Sequence, residues 1–418
     1  MTELLMAAWD GAGAVPPLMS VARALVERGH NLRVLGDPVL ASDVEAAGAE
    51  HIPWTRAPHR KTRSRESLFI KDWTPEGFAA MRDNLAIGPA AAFAADVREE
   101  LERRPADAVL TEMFLFGALI AAEAAGVPSV VLNPTINIVP VEGVPPFGPG
   151  FMPATTDEER ERDRAVTAEA VQAWDEALPA LNAARAEQGL APIAHVLDQG
   201  RSAARVLVMT SAAFDFVGPL PPTVKYVGPR LDDMSECGDW TPPPGDAPLV
   251  LVALSSDFQD QEDVLRRAVA AMGMLPVRAI VTTGRGVDPA QVDAPANVEV
   301  RELAPHRKIL EQAAAVVTHC GHGTTIKALA AGVPIVGLPM GRDQFDIAAR
   351  LVHRGAGIRV DASAPPEAIA AASRLVLGDT SYREAAGRIA RAIAEDTAED
   401  RVVAEVESLV PEGSLVSP

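Results

Sequence analysis

Short apolar segments alternate with longer amphipathic ones along the chain. Residues Glu3 to Trp9 and Asn31 to Leu35 are apolar enough for buried strands, and Pro16 to Gly29 between them has the apolar spacing of a helix. The same pattern recurs in the strands and the helix predicted at Ala106 to Leu110, Ala118 to Gly126, Pro128 to Leu132, Ala204 to Thr210 and Thr223 to Val227. Strands that alternate with helices in this way predict an α/β fold with a doubly wound parallel sheet.

A second alternating series follows a change in composition. Residues Pro229 to Pro248 are acidic and proline-rich and lack apolar periodicity, which is typical of an interdomain linker. Beyond them, strands are predicted at Leu249 to Leu254, Val277 to Thr282, Val298 to Arg301, Ala314 to Thr318, Pro334 to Leu338 and Gly357 to Val360. We therefore expect two Rossmann-like domains, residues 1–228 and 249–418, joined by the linker 229–248 and facing each other across a cleft. The last segment, Glu367 to Val410, has a helical composition and could pack on either domain.

The composition narrows the class of protein. The chain has 418 residues, of which 48% are hydrophobic and 23% charged, and a formal net charge of −19. It is long enough for two globular domains, and its negative charge disfavours nucleic acid or an anionic membrane as a partner. The N-terminus lacks the basic segment of a signal peptide, and no apolar run approaches the roughly 18 residues of a membrane helix. The two cysteines, Cys237 and Cys320, imply no disulfide framework, so we expect a cytoplasmic protein.

Two short segments differ in composition from the rest of the chain. Arg56 to Arg65 is dense in basic residues, and we expect a solvated loop here rather than a binding patch. Gly143 to Pro153 is rich in proline and glycine, which predicts a mobile surface loop outside the core.

A glycine-rich turn follows the first predicted strand. Residues Asp10 to Pro16 look at first like a dinucleotide-binding fingerprint, and Asp37 lies about where a ribose-binding acid is expected. The third glycine of that fingerprint, which permits close packing of helix and strand, is replaced by Pro16, so NAD binding is not expected. What remains is a turn at the carboxyl end of a strand that carries one carboxylate, Asp10, towards the cleft.

The most informative segment is Thr318 to Thr325, with the sequence THCGHGTT. The apolar run Ala313 to Val317 before it predicts a covered strand, and Thr324 to Ala331 after it predicts a helix that ends at Gly332. The start of that helix directs free backbone N–H groups and the positive end of the helix dipole at the cleft. An anion, and above all a phosphate, is the favoured ligand there.

Two other interpretations apply to this segment. His319, Cys320 and His322 are residue types that bind zinc, but a structural site needs a fourth ligand and the other cysteine lies in the linker. A helix-capping role for His319 without any ligand stays open. Phosphate binding gains support downstream, where Asp343 and Gln344 follow another strand, because an acid beside an amide offers both the acceptors and the donors that sugar hydroxyls need.

These motifs carry a family resemblance. The block formed by Pro305-His306, His319 to Thr324 and Gly341 to Gln344 resembles the sugar-nucleotide site of the GT-B, GT1-type glycosyltransferases, most of all the actinobacterial branch that decorates antibiotics. The resemblance spans nearly the whole chain, including Thr210 to Phe216 and Tyr226 to Pro229. It implies a nucleoside-diphosphate sugar as co-substrate, no metal cofactor, and transfer with inversion at the anomeric carbon.

The resemblance also implies roles for individual residues in holding the donor. The diphosphate would be bound by His319 and the backbone amides of the following turn, with hydroxyl contacts from two serines: His319, Gly321, His322, Gly323, Thr324, Ser255 and Ser256. Asp343 and Gln344 would bind the hexose, and Leu303 to His306 would face the nucleobase.

Three positions depart from the family pattern. The family usually has a histidine as general base at the position of Ala14, and the acid that orients it aligns with Glu112, here without its partner. Leu303 stands where many relatives have an aromatic residue that stacks on the base, and Ile347 where an asparagine often follows. We therefore consider Asp10 first and Glu112 second as the general base. Asp10 could instead only hold the turn, or the acceptor could be acidic enough to need little help.

Together these residues predict an inverting, metal-independent glycosyltransferase that transfers a sugar, expected from a dTDP-deoxysugar, to a small natural product. The acceptor would bind in the first domain near Trp54 to Trp73 and Gly143 to Pro153, with Trp9 and Trp73 as pocket walls or as core residues. The alternatives are a catalytically silent homologue that binds the nucleotide sugar and assists a partner transferase, and a sugar-nucleotide epimerase or hydrolase. A monomer and a homodimer are both compatible with the sequence.

Overall fold

Two parallel β-sheets organise the protein in a computed structural model that describes residues 2–67, 75–233, 237–256 and 258–410. The first sheet has seven strands: β1 Glu3–Ala7, β2 Asn31–Gly36, β3 Glu50–Pro53, β4 Ala108–Glu112, β5 Ser129–Asn133, β6 Arg205–Val208 and β7 Val224–Tyr226. Their order is β3-β2-β1-β4-β5-β6-β7. Neighbouring strands run parallel, so all of their carboxyl ends lie at one edge.

The second sheet has six strands: β8 Leu249–Ala253, β9 Arg278–Thr282, β10 Val298–Arg301, β11 Ala313–Thr318, β12 Ile335–Gly337 and β13 Gly357–Arg359. They are parallel and follow the order β10-β9-β8-β11-β12-β13. The strands β4, β5 and β8 are buried along their whole length, because helices cover both faces of each sheet. This burial explains why their sequences are continuous apolar runs.

The helices that cover the sheets are α1 Val15–Glu27, α2 Ala41–Ala46, α3 Pro75–Met81, α4 Ala90–Arg103, α5 Phe116–Ala125, α6 Asp157–Asp175, α7 Leu178–Glu187, α8 Glu262–Gly273, α9 His306–Leu310, α10 His322–Ala330, α11 Gln344–His353, α12 Pro366–Gly378, α13 Thr380–Asp396 and α14 Arg401–Glu407. Helix α1 illustrates how the sequence determines where a helix begins, which face is buried and where it ends. Proline is tolerated in its first turn because backbone N–H groups there have no partner within the helix, and Leu18, Val21 and Leu25 form its buried face. Gly29 ends it at a φ of 87°, a conformation that favours glycine.

The predicted α/β fold with two doubly wound domains is confirmed, and each predicted strand is present with its ends shifted by one or two residues. The prediction missed β3 and the helices α2, α3, α4, α6 and α7. It also extended β1 too far. The strand ends at Ala7, so Trp9 and Asp10 belong to the loop that follows it.

Buried polar contacts join the two domains. Nε of Arg350 in α11 donates to Oδ1 of Asp215 at 2.6 Å, and both side chains are almost completely buried. The backbone N–H groups of Gly148 and Gly150 donate to Asp346, also in α11, at 2.8 and 3.2 Å. The loop around these glycines, predicted to be a mobile surface segment, is therefore anchored to the second domain.

The C-terminal helices divide between the domains. Helices α12 and α13 pack on the second sheet, through residues such as Ile369 and Ile389. Helix α14 returns to the first domain, where Val402, Val403 and Val406 enter the core that contains α1. Across the described residues, no helix combines the length and the apolar character needed to cross a membrane.

Candidate functional site

The candidate donor residues follow three neighbouring strands. Because β8, β11 and β12 lie side by side, the segments that begin at Ser255, His319 and Asp343 start from the same edge of the second sheet. Hydrogen bonds connect these segments. The Leu338 N–H donates to the Thr318 carbonyl at 2.7 Å, and Nε2 of Gln344 donates to Oε1 of Gln259 at 2.9 Å. The structure therefore brings together residues that are up to 89 positions apart in the sequence.

The turn before α10 places His319 over the start of the helix. Helix α10 begins at His322, two residues before the predicted start. Cys320 has a φ of 64°, and a Cβ atom on Gly321 would lie only 2.4 Å from Nε2 of His319, so a larger residue there would displace the imidazole ring. Burial and the neighbouring Arg342 lower the pKa of His319 to about 3. The imidazole is therefore neutral at pH 7 and offers a hydrogen bond rather than a charge.

The first turn of α10 is open towards the cleft. Gly323 is exposed, and a Cβ atom on it would meet nothing within 4 Å. The side chain of His322, in contrast, turns to the first domain, where Nε2 lies 2.9 Å from Oγ1 of Thr210. Burial lowers the pKa of His322 to about 4. The backbone amides at this helix start are thus the groups available to a ligand, together with the half-buried Thr324.

The two residues assigned to the sugar have protein partners. Oδ2 of Asp343 accepts a 2.6 Å hydrogen bond from Oγ1 of Thr135, across the domain interface. Oε1 of Gln344 accepts from the N–H groups of Met340 and Gly341 at 2.9 and 3.2 Å, which fixes the turn before α11. Thr135 was missed in the sequence, although its position just after β5 places it at the edge of the first sheet that faces the cleft.

The segments expected to contact the nucleobase and the diphosphate lie beside these residues. Nε2 of His306 is 3.0 Å from Oγ1 of Thr282, and burial together with Lys327 lowers the pKa of His306 to about 4. The Ser255 side chain is buried, and the Ser255 carbonyl accepts from Nε2 of Gln261 at 3.1 Å. Leu303, at the position of the absent stacking aromatic, is half-buried.

A cavity between the domains connects both sheet edges. It is lined by Asp10, Arg60 and Arg63 from the first domain and by Ser256 and Arg285 from the second. Asp10 is 3% exposed, and its Oδ2 lies 3.0 Å from Nη1 of Arg60 and 3.5 Å from Nε of Arg63. Its carboxylate is therefore held between two guanidinium groups.

The expectation of a solvated basic loop at Arg56 to Arg65 is wrong for its centre. Arg60 is 2% exposed because it is buried against Asp10. Nη2 of Arg65 reaches Oδ1 of Asp260 in the second domain at 2.6 Å. This segment, which we call the basic strap, crosses the mouth of the cleft. The sequence revealed the positive charge of the basic strap, but not that the strap covers the buried carboxylate of Asp10.

Glu112 lies at the carboxyl end of β4 and is 2% exposed. The sequence suggested that this acid has no partner, and the structure corrects this: Nε1 of Trp9 donates to Oε2 of Glu112 at 2.5 Å. Burial raises the pKa of Glu112 to about 7. Ala14 has no polar side-chain atom with which to bond it. Trp9 thus supplies the hydrogen bond that the family pattern assigns to a histidine.

The other aromatic candidates differ in their positions. Trp54 belongs to the core, since it is 2% exposed, meets the Phe93 ring edge-on and donates to the Ala8 carbonyl at 3.0 Å. Trp73 lies outside the described residues. Ile347 is fully buried in the core of the second domain and does not face the cleft. Within the described ranges, no group of three or more His, Cys, Asp or Glu side chains is arranged to hold a metal ion.

Similarity to known proteins agrees with this arrangement. Residues 266–409 match the family "Erythromycin biosynthesis protein CIII-like, C-terminal domain". The chain is 30% identical over 407 residues to 4'-demethylrebeccamycin synthase of Lentzea aerocolonigenes, with 93% of this chain and 94% of that protein covered. It is 30% identical over 350 residues to oleandomycin glycosyltransferase of Streptomyces antibioticus, with 80% and 73% covered.

Solved structures show the same architecture. The glycotransferase of kitacinnamycin superposes with a TM-score of 0.78 at 24% identity and covers 98% of this chain and 99% of its own. The glycosyltransferase VinC in complex with dTDP gives a TM-score of 0.67 at 18% identity, with 97% and 100% covered. Two Rossmann-like domains in this arrangement define the GT-B fold of glycosyltransferases. Within that class, the chain belongs to the family of glycosyltransferases of antibiotic biosynthesis, and it is a glycosyltransferase of natural-product type.

Proposed function

We propose that this enzyme transfers a sugar from a nucleoside-diphosphate sugar to a small-molecule natural product, with inversion and without a metal ion. One observation carries the proposal. The neutral imidazole of His319 and the open amides at the start of α10 lie together at the edge of the second sheet that faces the cleft. That combination suits a diphosphate, because the helix dipole and free N–H groups stabilise negative charge.

The chemistry follows from this placement. As the acceptor attacks the anomeric carbon, the bond from that carbon to the phosphate oxygen breaks and its electron pair leaves with the diphosphate. Hydrogen bonds from His319 and from the amides of Gly321 to Thr324 stabilise the developing charge. Asp343, held by Thr135 from the other domain, and Gln344 contact the sugar hydroxyls. Ser255, Ser256 and His306 complete the donor site.

We infer a dTDP-sugar as the donor to test first, since a structure of similar fold holds dTDP. The protein would be incubated with dTDP- and UDP-sugars and candidate aglycones in buffer with EDTA, and products identified by mass spectrometry. A glycosylated aglycone whose anomeric configuration, read by NMR, is opposite to that of the donor supports the proposal. Retained configuration refutes inversion, and activity that EDTA abolishes refutes metal independence.

Other products identify the alternatives. Free sugar alone indicates a hydrolase, and an isomeric nucleotide sugar indicates an epimerase. Nucleotide binding without any turnover indicates a silent homologue that assists a partner. Sedimentation velocity in the same buffer distinguishes the monomer from the homodimer.

A further inference from the structure

Glu112 has one oxygen without a partner in a nearly closed environment. Nε1 of Trp9 at 2.5 Å and the N–H of Phe114 at 3.3 Å both donate to Oε2. Among the described residues, Oε1 accepts no hydrogen bond, although only 2% of the residue is exposed. A carboxylate oxygen that the protein itself leaves unpaired is satisfied by water or by a ligand. Such an atom at the edge of the sheet that faces the cleft indicates a ligand with a proton to give.

Aromatic residues adjoin this carboxylate through Trp9 and Phe114. Phe114, whose N–H binds Glu112, stacks on Trp174 with the ring centroids 6.4 Å apart. Phe78 meets Trp174 edge-on at 5.0 Å. On the other side lies the half-buried indole of Trp9. We call Phe78, Phe114 and Trp174 the aromatic wall; all three side chains are half-buried, so part of each ring remains accessible.

Small residues make room for Trp9. A Cβ atom on Gly11 would lie 3.2 Å from the Trp9 ring and 3.4 Å from the Cβ atom of Ala14. The indole therefore lies against the glycine-rich turn, which also contains Ala14.

We propose that Oε1 of Glu112 receives the proton of an aromatic acceptor, one whose reacting O–H or N–H is attached to a planar ring, and that Trp9 positions the carboxylate for this step. The inference rests on the proposed glycosyl transfer and deepens it. The acceptor oxygen or nitrogen forms its bond to the anomeric carbon, its proton passes to Oε1, and the electron pair of the broken bond leaves with the diphosphate. The aromatic wall contacts the face of the acceptor ring.

Asp10 does not fit this role. Its Oδ2 already lies between Arg60 and Arg63, and its Oδ1 accepts from the Ala12 N–H at 3.4 Å. Asp10 instead anchors the basic strap over the cleft.

The environment also gives Glu112 a suitable basicity. Burial raises its pKa to about 7, and the hydrogen bonds from Trp9 and Phe114 act in the opposite direction. The ionisable groups on the surrounding elements are Asp10 and Asp37 after β1 and β2, Arg60 and Arg63 of the basic strap, and Arg82, Asp83 and Glu176 beside the aromatic wall. None of them contributes to the shift. A group with this pKa is half ionised near neutral pH, where it can take a proton and release it again.

The first test replaces the proton acceptor. Glu112→Gln should lower kcat about 10²- to 10⁴-fold, the usual contribution of a general base, while the Kd for dTDP by calorimetry stays within about twofold of wild type. Acceptor probes would run from 4-methoxyphenol to the more acidic 4-nitrophenol, with cyclohexylmethanol as the aliphatic probe. The loss should shrink towards 4-nitrophenol, which needs less help to lose its proton.

The second test concerns Trp9 and has a matched control. Trp9→Phe keeps a ring but removes the hydrogen bond that lowers the pKa of Glu112, so the acid limb of the pH profile of kcat/KM should move above its wild-type position near pH 7. Trp54→Phe also removes an indole N–H, but one that donates to the Ala8 carbonyl. It should leave the limb where it is, even if the variant is less stable.

Three results would overturn the inference while leaving the glycosyl transfer intact. They are full activity of Glu112→Gln on 4-methoxyphenol, an acid limb that Trp9→Phe does not move, and a preference of the wild-type enzyme for cyclohexylmethanol over every phenol. Absence of any transfer by wild type, despite dTDP binding, would instead refute the proposed function itself.

Discussion

The two sheet edges that face each other across the cleft use the same physical effect in opposite ways. At the second-domain edge, burial lowers the pKa values of His319 and His322 to about 3 and about 4. At the first-domain edge, burial raises the pKa of Glu112 to about 7. Burial disfavours the charged form of any group, so it neutralises a histidine and makes a carboxylate more basic.

This difference matches what each edge has to do in a transfer reaction. A departing diphosphate needs hydrogen-bond donors that are fixed in place, and in the proposed reaction the neutral imidazole of His319 and the backbone amides would provide them. An acceptor needs a group that takes its proton, and a carboxylate of raised pKa provides that. Burial alone can thus prepare a histidine as a neutral hydrogen-bond donor and a carboxylate as a proton acceptor.

The largest expected effect comes from the contact that holds the two edges opposite each other. Asp215→Asn removes the charge that pairs with Arg350, and both side chains are almost completely buried. Breaking a buried pair from one side costs about 3 to 5 kcal/mol. Urea unfolding should show this loss of stability, whereas Asp157→Asn, which affects an exposed pair with Arg160, should change little. Equal effects of the two changes would mean that Asp215 does not join the domains.

The next prediction separates the two histidines of the donor edge. His319→Ala should lower kcat about 10²- to 10³-fold, because a hydrogen bond to the developing charge is lost. His322→Ala is the matched control in the same turn. The His322 ring lies against Thr210 and does not face the cleft, so the kcat of His322→Ala should fall much less. A larger loss for His322 would reverse the assignment.

The first-domain edge can be tested through stability and its pH dependence. The pKa of Glu112 is raised in the folded protein from 4.5 to about 7, so the ionised form destabilises the fold as pH rises through this range. Glu112→Gln should therefore stabilise the protein by about 3 kcal/mol at pH 8, with the gain disappearing below pH 4.5. Asp10→Asn should instead destabilise it, because Arg60 loses its buried partner. Thermal unfolding between pH 4 and pH 8 measures the stability of both variants. A Glu112→Gln protein that is less stable than wild type at pH 8 would contradict the raised pKa of Glu112.

The smallest effect is expected where the basic strap reaches the second domain. Arg65→Gln removes an exposed pair with Asp260, an interaction worth less than about 1 kcal/mol. The KM for the donor should change by less than about fivefold, and added salt should abolish the difference. Arg60→Gln, whose partner Asp10 is buried, should have a larger effect that salt does not remove. A salt-insensitive effect of Arg65→Gln would show that this pair is more than a surface contact.

The sequence predicted those features that depend on neighbouring residues. The strand β11, the turn at Gly321 and the helix after it follow from local composition. Even there, α10 starts two residues early because Gly321 adopts an extended conformation that serves as the N-cap. Local patterns thus predicted these elements, whereas donor binding at this edge stays a prediction.

Contacts between distant segments could not be predicted in the same way. The hydrogen bonds of Thr135 with Asp343 and of Thr210 with His322 exist only because the two domains face each other in one orientation. The burial of Arg60 depends on Asp10, which lies 50 positions away. Trp9 was placed in a strand, and its true position after the strand is what lets the indole reach Glu112.

The return of α14 to the first domain has a mechanical consequence. The backbone passes between the domains twice, once through the linker and once after α13, and Val402, Val403 and Val406 fix the second passage to the core beside α1. Two connections resist twisting of one domain against the other better than one does, because twisting would stretch both connections. Any bending of one domain against the other is therefore restricted to a line through the two connections, which would keep the two sheet edges in the same alignment.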